Sequence, residues 1–481
     1  MIFYTIGQLV LLESVLLLLP CVTALVYAEY ACALSYFAVA AGAAVVGFAL
    51  TFLLRKADRT IYAREGLVTV ALAWVVLSAI GALPFVLSGD IPSYIDAFFE
   101  IVSGFTTTGA SILPNVEALT HGALFWRSFS HWIGGMGVLV LMMAIMPNGE
   151  GRSIHIIRAE MPGPKVDKIV PKVRETAKIL YLIYIVLTIV EVIFLLFGGM
   201  SLFEALLHAF GTAGTGGFGL KGDSLASYST YIKWVVAVFM LIFGVNFNIY
   251  YFILIKKFSQ ALKSEELHVF LGIVLVSSGI ITANIWKTSA SVGSAVTDAV
   301  FQVSSIITTT GFSSVDFDLW PQLSKTVLFL LMFIGGCAGS TAGGLKVSRV
   351  IIMYKSVRRE LRRILHPRSV SSLKFEGKTV DSEAEHGVLS YFSMYFIVFA
   401  LLLFLLCLEP LDLETNVTAG LLQQHRTGIC RSRSYGVLRT IFGLFKAGSL
   451  RGDASRKTGA LSASSDVRSL HVGKKIRFLS K

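Results

Sequence analysis

Long apolar runs are the feature that most limits what this chain can fold into. Nine stretches are long and apolar enough to cross a bilayer core of ~30 Å, in a chain of 481 residues that is 54% hydrophobic and only 15% charged. The predicted spans are 6–27, 31–54, 66–88, 124–146, 178–198, 232–255, 267–285, 323–352 and 388–408. We predict an all-α polytopic membrane protein. The first run contains Glu13 and lacks a basic leader, which favours a membrane helix over a signal peptide.

Basic residues predict the orientation of these spans. Lysine and arginine clusters follow alternate spans, in loops that begin at Arg55, Arg152, Lys256 and Lys355. The positive-inside bias makes these loops cytoplasmic. The opposite loops carry uncharged segments rich in threonine and glycine, which we therefore expect to enter the membrane from the outside.

Three of these uncharged segments form a repeat: TTTGAS at 106–111, GTGGFG at 214–219 and TTTGFS at 308–313. In each copy an acidic residue lies 13 positions before a glycine; the pairs are Asp96 and Gly109, Glu204 and Gly217, and Asp298 and Gly311. The apolar stretch inside each copy is too short to span the membrane, and a full-length apolar run follows it. Each unit is therefore predicted to be an outer helix, a re-entrant helix, a glycine loop and an inner helix.

The residue types of the repeat favour a cation filter. Irregular backbone at membrane depth is tolerated only where protein or water surrounds it, and loop carbonyls can replace the hydration shell of a cation. Glycine allows the positive φ values that aim carbonyls inward, and a helix ending at the loop directs its negative end toward the ion. One Thr-Thr-Gly would more often mark a kink or a packing seam, but three copies at one spacing favour the filter.

The chain resembles a known family at this point. The repeats, FWRSFSHWIGGMGVLVL at 125–141 and GGCAGSTAGGLK at 335–346 are similar to the TrkH-type membrane subunits of the bacterial Trk/Ktr/HKT potassium transporter superfamily, over residues 1 to about 419. The resemblance implies two leading helices, then four repeated helix, re-entrant loop and helix units around a pseudo-fourfold pore in the bacterial inner membrane. It also implies potassium as the transported ion, no cofactor and no nucleic acid. A homodimer and a cytosolic nucleotide-binding regulatory subunit are the implied protein partners.

The resemblance also implies which residues carry the function. Potassium would meet carbonyls of Thr107, Thr108, Gly109, Thr215, Gly216, Gly217, Thr309, Thr310 and Gly311. An intramembrane gate under this filter would contain Gly335, Gly336, Gly339, Ser340, Thr341, Gly343, Gly344 and Lys346.

The sequence of 335–346 independently argues against a continuous third inner helix. Glycine costs about 1 kcal/mol in a helix interior, and the segment has five glycines and a Ser-Thr pair. A break made only for packing is the alternative. A phosphate-binding loop is not favoured, because the GK[ST] signature is missing.

Five further polar residues lie in or beside the apolar segments. Arg127 and His131, one helical turn apart, are interpreted as interfacial anchors beside Trp126 and Trp132. His208 is interpreted as a packing residue rather than a catalytic one. The pair Asn246 and Asn248 is left open, since their amides could narrow the pore or bond between helices.

The composition changes abruptly after residue 419. Residues 420–481 contain 13 lysines and arginines against two aspartates, so this segment carries almost all of the chain's net charge of +12. A lipid-binding basic tail is one interpretation. A frameshift is the favoured one, because codons compatible with GLLQQHRTGICRSRSYG can spell ACFNNIGPGFAAVGPT in the next frame, and an apolar run can follow. Thr427 stands where the fourth filter glycine is due, 13 residues after Glu414.

These observations predict the domains and the function. The predicted domains are the leading helices in 1–60, repeat 1 in 61–150, repeat 2 in 151–262, repeat 3 in 263–368, the start of repeat 4 in 369–419 and the aberrant tail in 420–481. Potassium uptake is the predicted function, although loss of the fourth loop and inner helix could leave this chain inactive.

Other functions are less well supported. A Na⁺-coupled symporter of the Ktr type is an alternative within the superfamily. A secondary transporter with inverted repeats would not have loops entering from one side only, and a non-transporting scaffold would need no filter. An enzyme is not expected, since no Ser-His-Asp or paired-carboxylate pattern lies in the spans. The five cysteines have no CxxC spacing, so no metal site or disulfide framework is indicated.

Overall fold

The computed structural model describes residues 2–55, 63–137, 173–367 and 372–407, which lie in one compact unit, Met1–Tyr435. These residues are mostly helical, and the strands among them are a two-residue pair, β1 (Lys374–Phe375) and β2 (Lys378–Thr379). Six helices in this part are long and apolar enough to cross a membrane, or seven if one bent pair is counted. Helices satisfy their own backbone hydrogen bonds, as a bilayer requires. The predicted fold class, an all-α polytopic membrane protein, is confirmed.

Three helices precede the repeats. Helices α1 (Ile2–Leu16) and α2 (Leu18–Val26) form one span that is interrupted near Pro20, whose nitrogen cannot donate a helical hydrogen bond. Helix α3 (Tyr30–Leu53) returns beside α1. The two backbones approach closely at Gly7 and Gly47, because a side chain at Gly47 would come 2.8 Å from the carbonyl oxygen of Gly7.

Each of three repeats contains a long helix, a short apolar helix and a further helix after a loop. Repeat 1 has α4 (Ala63–Gly81), α5 (Leu83–Ser88), the short helix α6 (Tyr94–Phe105) and α7 (His121–Gly135). Repeat 2 has α8 (Val173–Phe197), the short helix α9 (Leu202–Ala213), α10 (Thr230–Gly244), α11 (Phe247–Leu254) and α12 (Phe258–Leu262). Repeat 3 has α13 (Glu265–Ile285), the short helix α14 (Val292–Ile307), α15 (Gln322–Ile334) and α16 (Val347–Leu365). Helix α17 (Ser382–Leu406) follows repeat 3.

Side-chain caps explain where several of these helices begin. Ser201 and Glu204 form a capping box at the start of α9, and Ser291 and Ser294 form one at the start of α14. The hydroxyl of Ser229 accepts from a backbone amide at the start of α10. Such caps satisfy amides that have no partner inside the helix, so the short helices have fixed starting points.

Two predicted spans differ from the helices observed. The apolar run predicted as a span over 232–255 is bent, since α10 and α11 meet at an angle of 90°. The span predicted over 323–352 is two helices separated by 335–346, which is the interruption that the glycines indicate. The span predicted over 124–146 is helical up to Gly135, and residues 138–146 lie outside the described residues.

The predicted fourth repeat lies only partly within the described residues. The predicted fourth loop near Thr427 and the aberrant segment 420–481 lie outside the described residues. In 369–419, where the sequence predicts the start of a fourth repeat, the described residues form a hairpin and one long apolar helix, α17, of which Ser382–Leu405 is apolar enough to span.

Candidate functional site

The three glycine loops share one backbone conformation. We refer to residues 106–111 as loop 1, 214–219 as loop 2 and 308–313 as loop 3. Each loop places a threonine and, two residues later, a glycine in the left-handed region; the φ values are 54° and 73° for Thr107 and Gly109, 51° and 77° for Thr215 and Gly217, and 56° and 90° for Thr309 and Gly311. Left-handed backbone is a rare and strained state for a β-branched residue. Its occurrence at three equivalent positions indicates a shared structural purpose.

Backbone hydrogen bonds in the three loops also match. The amide of the residue after the left-handed threonine donates to a carbonyl five residues earlier, at 2.9 Å in all three loops; the pairs are Thr108 to Ser103, Gly216 to Gly211 and Thr310 to Ser305. Each bond joins a loop to the last turn of its own short helix. The negative end of each short helix therefore lies directly behind its loop.

The loops meet one another through carbonyl oxygens. A side-chain carbon added to Gly109 would collide with the carbonyl oxygen of Gly216 and would lie 3.9 Å from that of Thr310. One added to Gly217 would collide with the carbonyl oxygen of Thr310. Backbone oxygens of loops 2 and 3 therefore converge beside Gly109, and only glycine fits there.

Side-chain hydroxyls stabilise loops 1 and 3 in the same way. The hydroxyls of Thr106 and Thr108 lie 2.8 Å apart, and those of Thr308 and Thr310 lie 2.7 Å apart. Behind them, Ser103 donates to the carbonyl of Ala110 and Ser305 to that of Phe312, at 2.6 Å in both cases. These bonds satisfy the loops internally and leave their other carbonyls available.

Loop 2 has glycines in place of those hydroxyls because His131 occupies the space. A side chain at Gly216 would collide with the imidazole ring of His131, and one at Gly214 would collide with the His131 carbonyl. The His131 Nδ1 atom lies 2.9 Å from the carbonyl oxygen of Gly104, at the end of the first short helix. His131 therefore fits between loops 1 and 2, and its interpretation as an interfacial anchor is wrong.

Arg127 is also buried, so its interpretation as an interfacial anchor is wrong as well. Its Nε lies 2.5 Å from a carboxylate oxygen of Glu100, also buried. Its Nη1 donates to the carbonyl of Gly219 at 3.2 Å, and its guanidinium lies 3.5 Å from the ring centroid of Phe218. Glu100 in turn accepts from the amide of Ile112 at 3.1 Å. Arg127 therefore connects the chain just after loop 1, through Glu100 and Ile112, to the end of loop 2 at Gly219.

Positions equivalent to Glu100 carry polar side chains in the other repeats. Gln302 donates to the hydroxyl of Ser313, the last residue of loop 3, at 3.2 Å. His208 is buried, lies edge-on to Tyr228 and packs near the ring of Phe312, consistent with its interpretation as a packing residue. A polar residue four positions after each acidic residue is thus a further feature of the repeat that is visible in the sequence.

The glycine-rich segment, residues 335–346, is irregular and joins the bend in repeat 2. Positive φ values occur at Gly335, Gly339, Gly344 and Lys346. The amide of Cys337 donates to the carbonyl of Gly244 at 2.9 Å, and the amide of Phe247 donates to the carbonyl of Gly339 at 3.1 Å. In a straight helix through α10 and α11, the Gly244 carbonyl and the Phe247 amide would form hydrogen bonds within that helix. Here they bond to the glycine-rich segment instead.

Asn246 lies within that bend. Its Oδ1 accepts from the amide of Asn248 at 3.0 Å and so caps α11. A side-chain carbon at Gly339 would lie 3.1 Å from the same oxygen. The Asn246 side chain therefore caps α11 and lies beside Gly339 of the glycine-rich segment.

Two charged side chains hold the glycine-rich segment. One carboxylate oxygen of Glu266 accepts from the amides of Ala338 at 2.7 Å and Ser348 at 3.0 Å. The buried ammonium of Lys346 lies 2.5 Å from the carbonyl oxygen of Ala342, 3.3 Å from that of Cys337 and 3.4 Å from that of Ser340. The Lys346 ammonium thus donates to three carbonyl oxygens of its own segment.

The glycine-rich segment also contacts two of the glycine loops. The Thr215 hydroxyl donates toward the carbonyl of Thr341 at 3.0 Å, and the Thr309 hydroxyl accepts from the amide of Gly343 at 2.6 Å. The predicted filter residues and the predicted gate residues are therefore brought into direct contact. In the part of the chain described here, no cluster of three or more His, Cys, Asp or Glu could hold a metal ion.

Comparisons with known proteins agree on one family. A family model with the description "TrkH: Cation transport protein" matches residues 36–413. The Trk system potassium uptake protein TrkH of Escherichia coli K12 is 38% identical over 403 residues, 82% of this chain and 83% of that protein. TrkH of Halomonas elongata is 35% identical over 413 residues, 84% of each chain. The crystal structure of the potassium transporter TrkH from Vibrio parahaemolyticus matches with a TM-score of 0.77 at 30% identity, over 94% of this chain and 97% of that one.

Proposed function

Because the chain belongs to the TrkH family of cation transport proteins, we propose that it is the pore-forming subunit of a potassium uptake system, a multi-pass protein of the bacterial inner membrane. Its family is one of cation transporters rather than of enzymes. Potassium is the transported ion rather than a resident cofactor. The resemblance stated from the sequence and the similarity to curated potassium uptake proteins support this function.

One observation carries the proposal: three loops share the same alternating left-handed backbone, and carbonyl oxygens of loops 2 and 3 converge beside the glycines of loops 1 and 2. We propose that these carbonyls form the filter; the residues are Thr107, Thr108, Gly109, Thr215, Gly216, Gly217, Thr309, Thr310 and Gly311. Carbonyl oxygens can replace water around a dehydrated potassium ion. None of the nine residues is charged, so a bound ion is not trapped by a counter-charge.

The glycine-rich segment is proposed to be the gate of this pore. Its residues Thr341 and Gly343 are hydrogen-bonded to loop residues Thr215 and Thr309, so the segment lies immediately against the proposed filter. Its irregular backbone is held by side chains and by single hydrogen bonds rather than by a helical ladder. A segment held in this way can move without unfolding a helix.

The protein partners remain part of the proposal. The family resemblance supports a homodimer and a cytosolic nucleotide-binding regulatory subunit. A gate that is docked against its filter requires an input of free energy to open, and binding of a regulatory subunit can supply that input.

Growth of a bacterium that lacks potassium uptake tests the proposed function. The gene is expressed in two forms, as the present 481 codons and with the frame restored after codon 419, so that residues 1–419 are identical. We expect the restored form to support growth at low external potassium. The matched control carries Gly311→Ser in the restored form and should support growth less well. A restored form that reaches the membrane without improving growth would contradict the proposal.

A further inference from the structure

Two threonines link the proposed filter to the proposed gate. Thr215 and Thr309 occupy equivalent positions in loops 2 and 3, and both have left-handed backbone and buried side chains. Their hydroxyls face residues two positions apart in the glycine-rich segment, Thr341 and Gly343. The same residues that could present carbonyls to an ion therefore use their side chains to hold the segment.

We propose that these two hydroxyls couple the gate to the filter, so that undocking of the glycine-rich segment changes the filter and potassium in the filter favours the docked segment. This inference rests on the proposed function. It assigns Thr215 and Thr309 a positioning role in addition to their carbonyls.

The bonding of Thr215 shows how undocking reaches the filter. Its hydroxyl lies 2.7 Å from the carbonyl oxygen of Gly214 and 3.0 Å from that of Thr341, so one hydrogen is shared between two acceptors. When the segment leaves, the hydroxyl turns fully toward Gly214. Thr309 accepts a hydrogen bond from Gly343 at 2.6 Å and loses that donor on undocking. Both changes occur beside strained backbone that persists only where its surroundings hold it.

Hydrogen bonds within the glycine-rich segment link its contact with Thr215 to its contact with Thr309. Lys346 gathers the carbonyls of Cys337, Ser340 and Ala342, and Thr341 and Gly343 flank the last of these. Displacement of this group breaks both threonine contacts. Because coupling between two equilibria is reciprocal, an ion that orders the filter must also stabilise the docked segment.

Cys337 provides a reporter of docking. This thiol is fully buried in the glycine-rich segment, and its modification by a methanethiosulfonate reagent from the cytoplasmic side requires the segment to move. The other cysteines, Cys21, Cys32, Cys407 and Cys430, are replaced by serine. In the full 481-residue chain, we expect Thr215→Val and Thr309→Val to speed modification about threefold to tenfold, since each removes one hydrogen bond.

Two sets of controls separate coupling from general loosening. Thr215→Ser and Thr309→Ser keep the hydroxyl and should modify at the native rate. Thr297→Val removes a buried hydroxyl of α14, outside the loops, that donates to the Gly293 carbonyl and accepts from the Trp234 indole, and it should also leave the rate near native. Equal acceleration by the valine and serine variants, or none by either valine variant, would overturn the proposal.

The reciprocal measurement uses the frame-restored chain with Cys337 as its single cysteine. We expect potassium to slow Cys337 modification relative to sodium, and we expect the Thr215→Val, Thr309→Val double variant to lose that difference. A potassium effect that persists in the double variant would refute coupling through the hydroxyls. If Gly109→Ser alters ion selectivity but potassium does not change the rate of Cys337 modification, the filter assignment is supported and the proposed coupling is contradicted. If Gly109→Ser leaves ion selectivity unchanged and potassium does not change the rate of Cys337 modification, the proposed function itself is contradicted.

Discussion

At the scale of single residues, the left-handed threonines are the least expected feature of the molecule. Strained backbone of this kind costs of the order of 1–3 kcal/mol per residue, and Thr107, Thr215 and Thr309 all adopt it. Hydrogen bonds to the short helices, hydroxyl pairs in loops 1 and 3, and contacts between loops hold the conformation. The strain is therefore a property of the assembled site.

Glycine at the third loop position should be required for ion selectivity. Gly109, Gly217 and Gly311 each have positive φ, and serine there would strain the backbone and turn its carbonyl. We expect Gly→Ser at any of the three to lower the potassium-to-sodium permeability ratio by roughly tenfold, the effect of ~1.4 kcal/mol. Reversal potentials of the frame-restored chain in bilayers measure the ratio.

Gly89→Ser is the matched control for that prediction. Gly89 also has positive φ, 83°, but nothing lies within 4 Å of the position its side chain would take. It should therefore suffer similar backbone strain without changing selectivity. Unchanged permeability ratios in all three loop variants would remove the filter assignment.

Arg127 is expected to stabilise the protein through Glu100. Arg127→Met would leave the Glu100 carboxylate buried without its cation, which typically costs about 3–5 kcal/mol. Adding Glu100→Gln should recover part of that loss, because the neutral amide needs no counter-charge. Thermal unfolding in detergent measures both variants, with Arg55→Met at an exposed arginine as the control. A single variant as stable as the parent would show that the buried pair is dispensable.

The sequence allowed some of these residues to be predicted and concealed others. The constant spacing from acid to glycine located Gly109, Gly217 and Gly311 where the loops meet. Nothing local distinguishes Arg127 from an interfacial arginine beside tryptophans, because its partner Glu100 is 27 residues away. A threonine likewise carries no sequence signal for positive φ, since its conformation is imposed by tertiary contacts.

At the scale of elements, two interruptions of apolar helices depend on each other. The break at 335–346 could be predicted, because five glycines disfavour a helix. The bend between α10 and α11 could not, because Val245 and Asn246 do not by themselves end a helix. It follows from hydrogen bonds that Gly244 and Phe247 make with the glycine-rich segment, which is remote in sequence.

Removal of most of the glycine-rich segment should open the pore. In the frame-restored chain, we expect deletion of residues 338–344 to raise basal potassium flux severalfold, because the docked segment is gone. Lys346→Met is a second variant that keeps the chain length and unties three carbonyls; it should raise flux less. Rubidium uptake into proteoliposomes measures both. A deletion variant that folds but conducts less would show that the segment is structural.

At the scale of the whole molecule, the described residues contain three units of a long helix, a short helix, a loop and a further helix, and α17 follows the third. Apolar run length predicted the membrane fold and most span positions, since run length alone reports bilayer crossing. It could not predict how the loops converge, because that arrangement depends on contacts between repeats.

The tail should prevent function in the chain as written. A pore with three loops would coordinate an ion incompletely, and lipid-facing backbone in the gap would lack hydrogen-bond partners at several kcal/mol per group. We expect the 481-residue chain to be inactive for potassium uptake and to unfold at a lower temperature than the frame-restored chain. Robust uptake by the purified 481-residue chain would contradict the frameshift interpretation.

The most direct test of the account is the ion selectivity of the frame-restored chain, purified and reconstituted without other proteins. Reversal potentials under opposing potassium and sodium gradients report which ion passes. The account predicts a clear preference for potassium, which Gly109→Ser reduces and Gly89→Ser does not. A conducting protein with equal permeability to the two ions, or with a preference that Gly109→Ser leaves intact, would contradict the central claim that carbonyls of these loops select potassium.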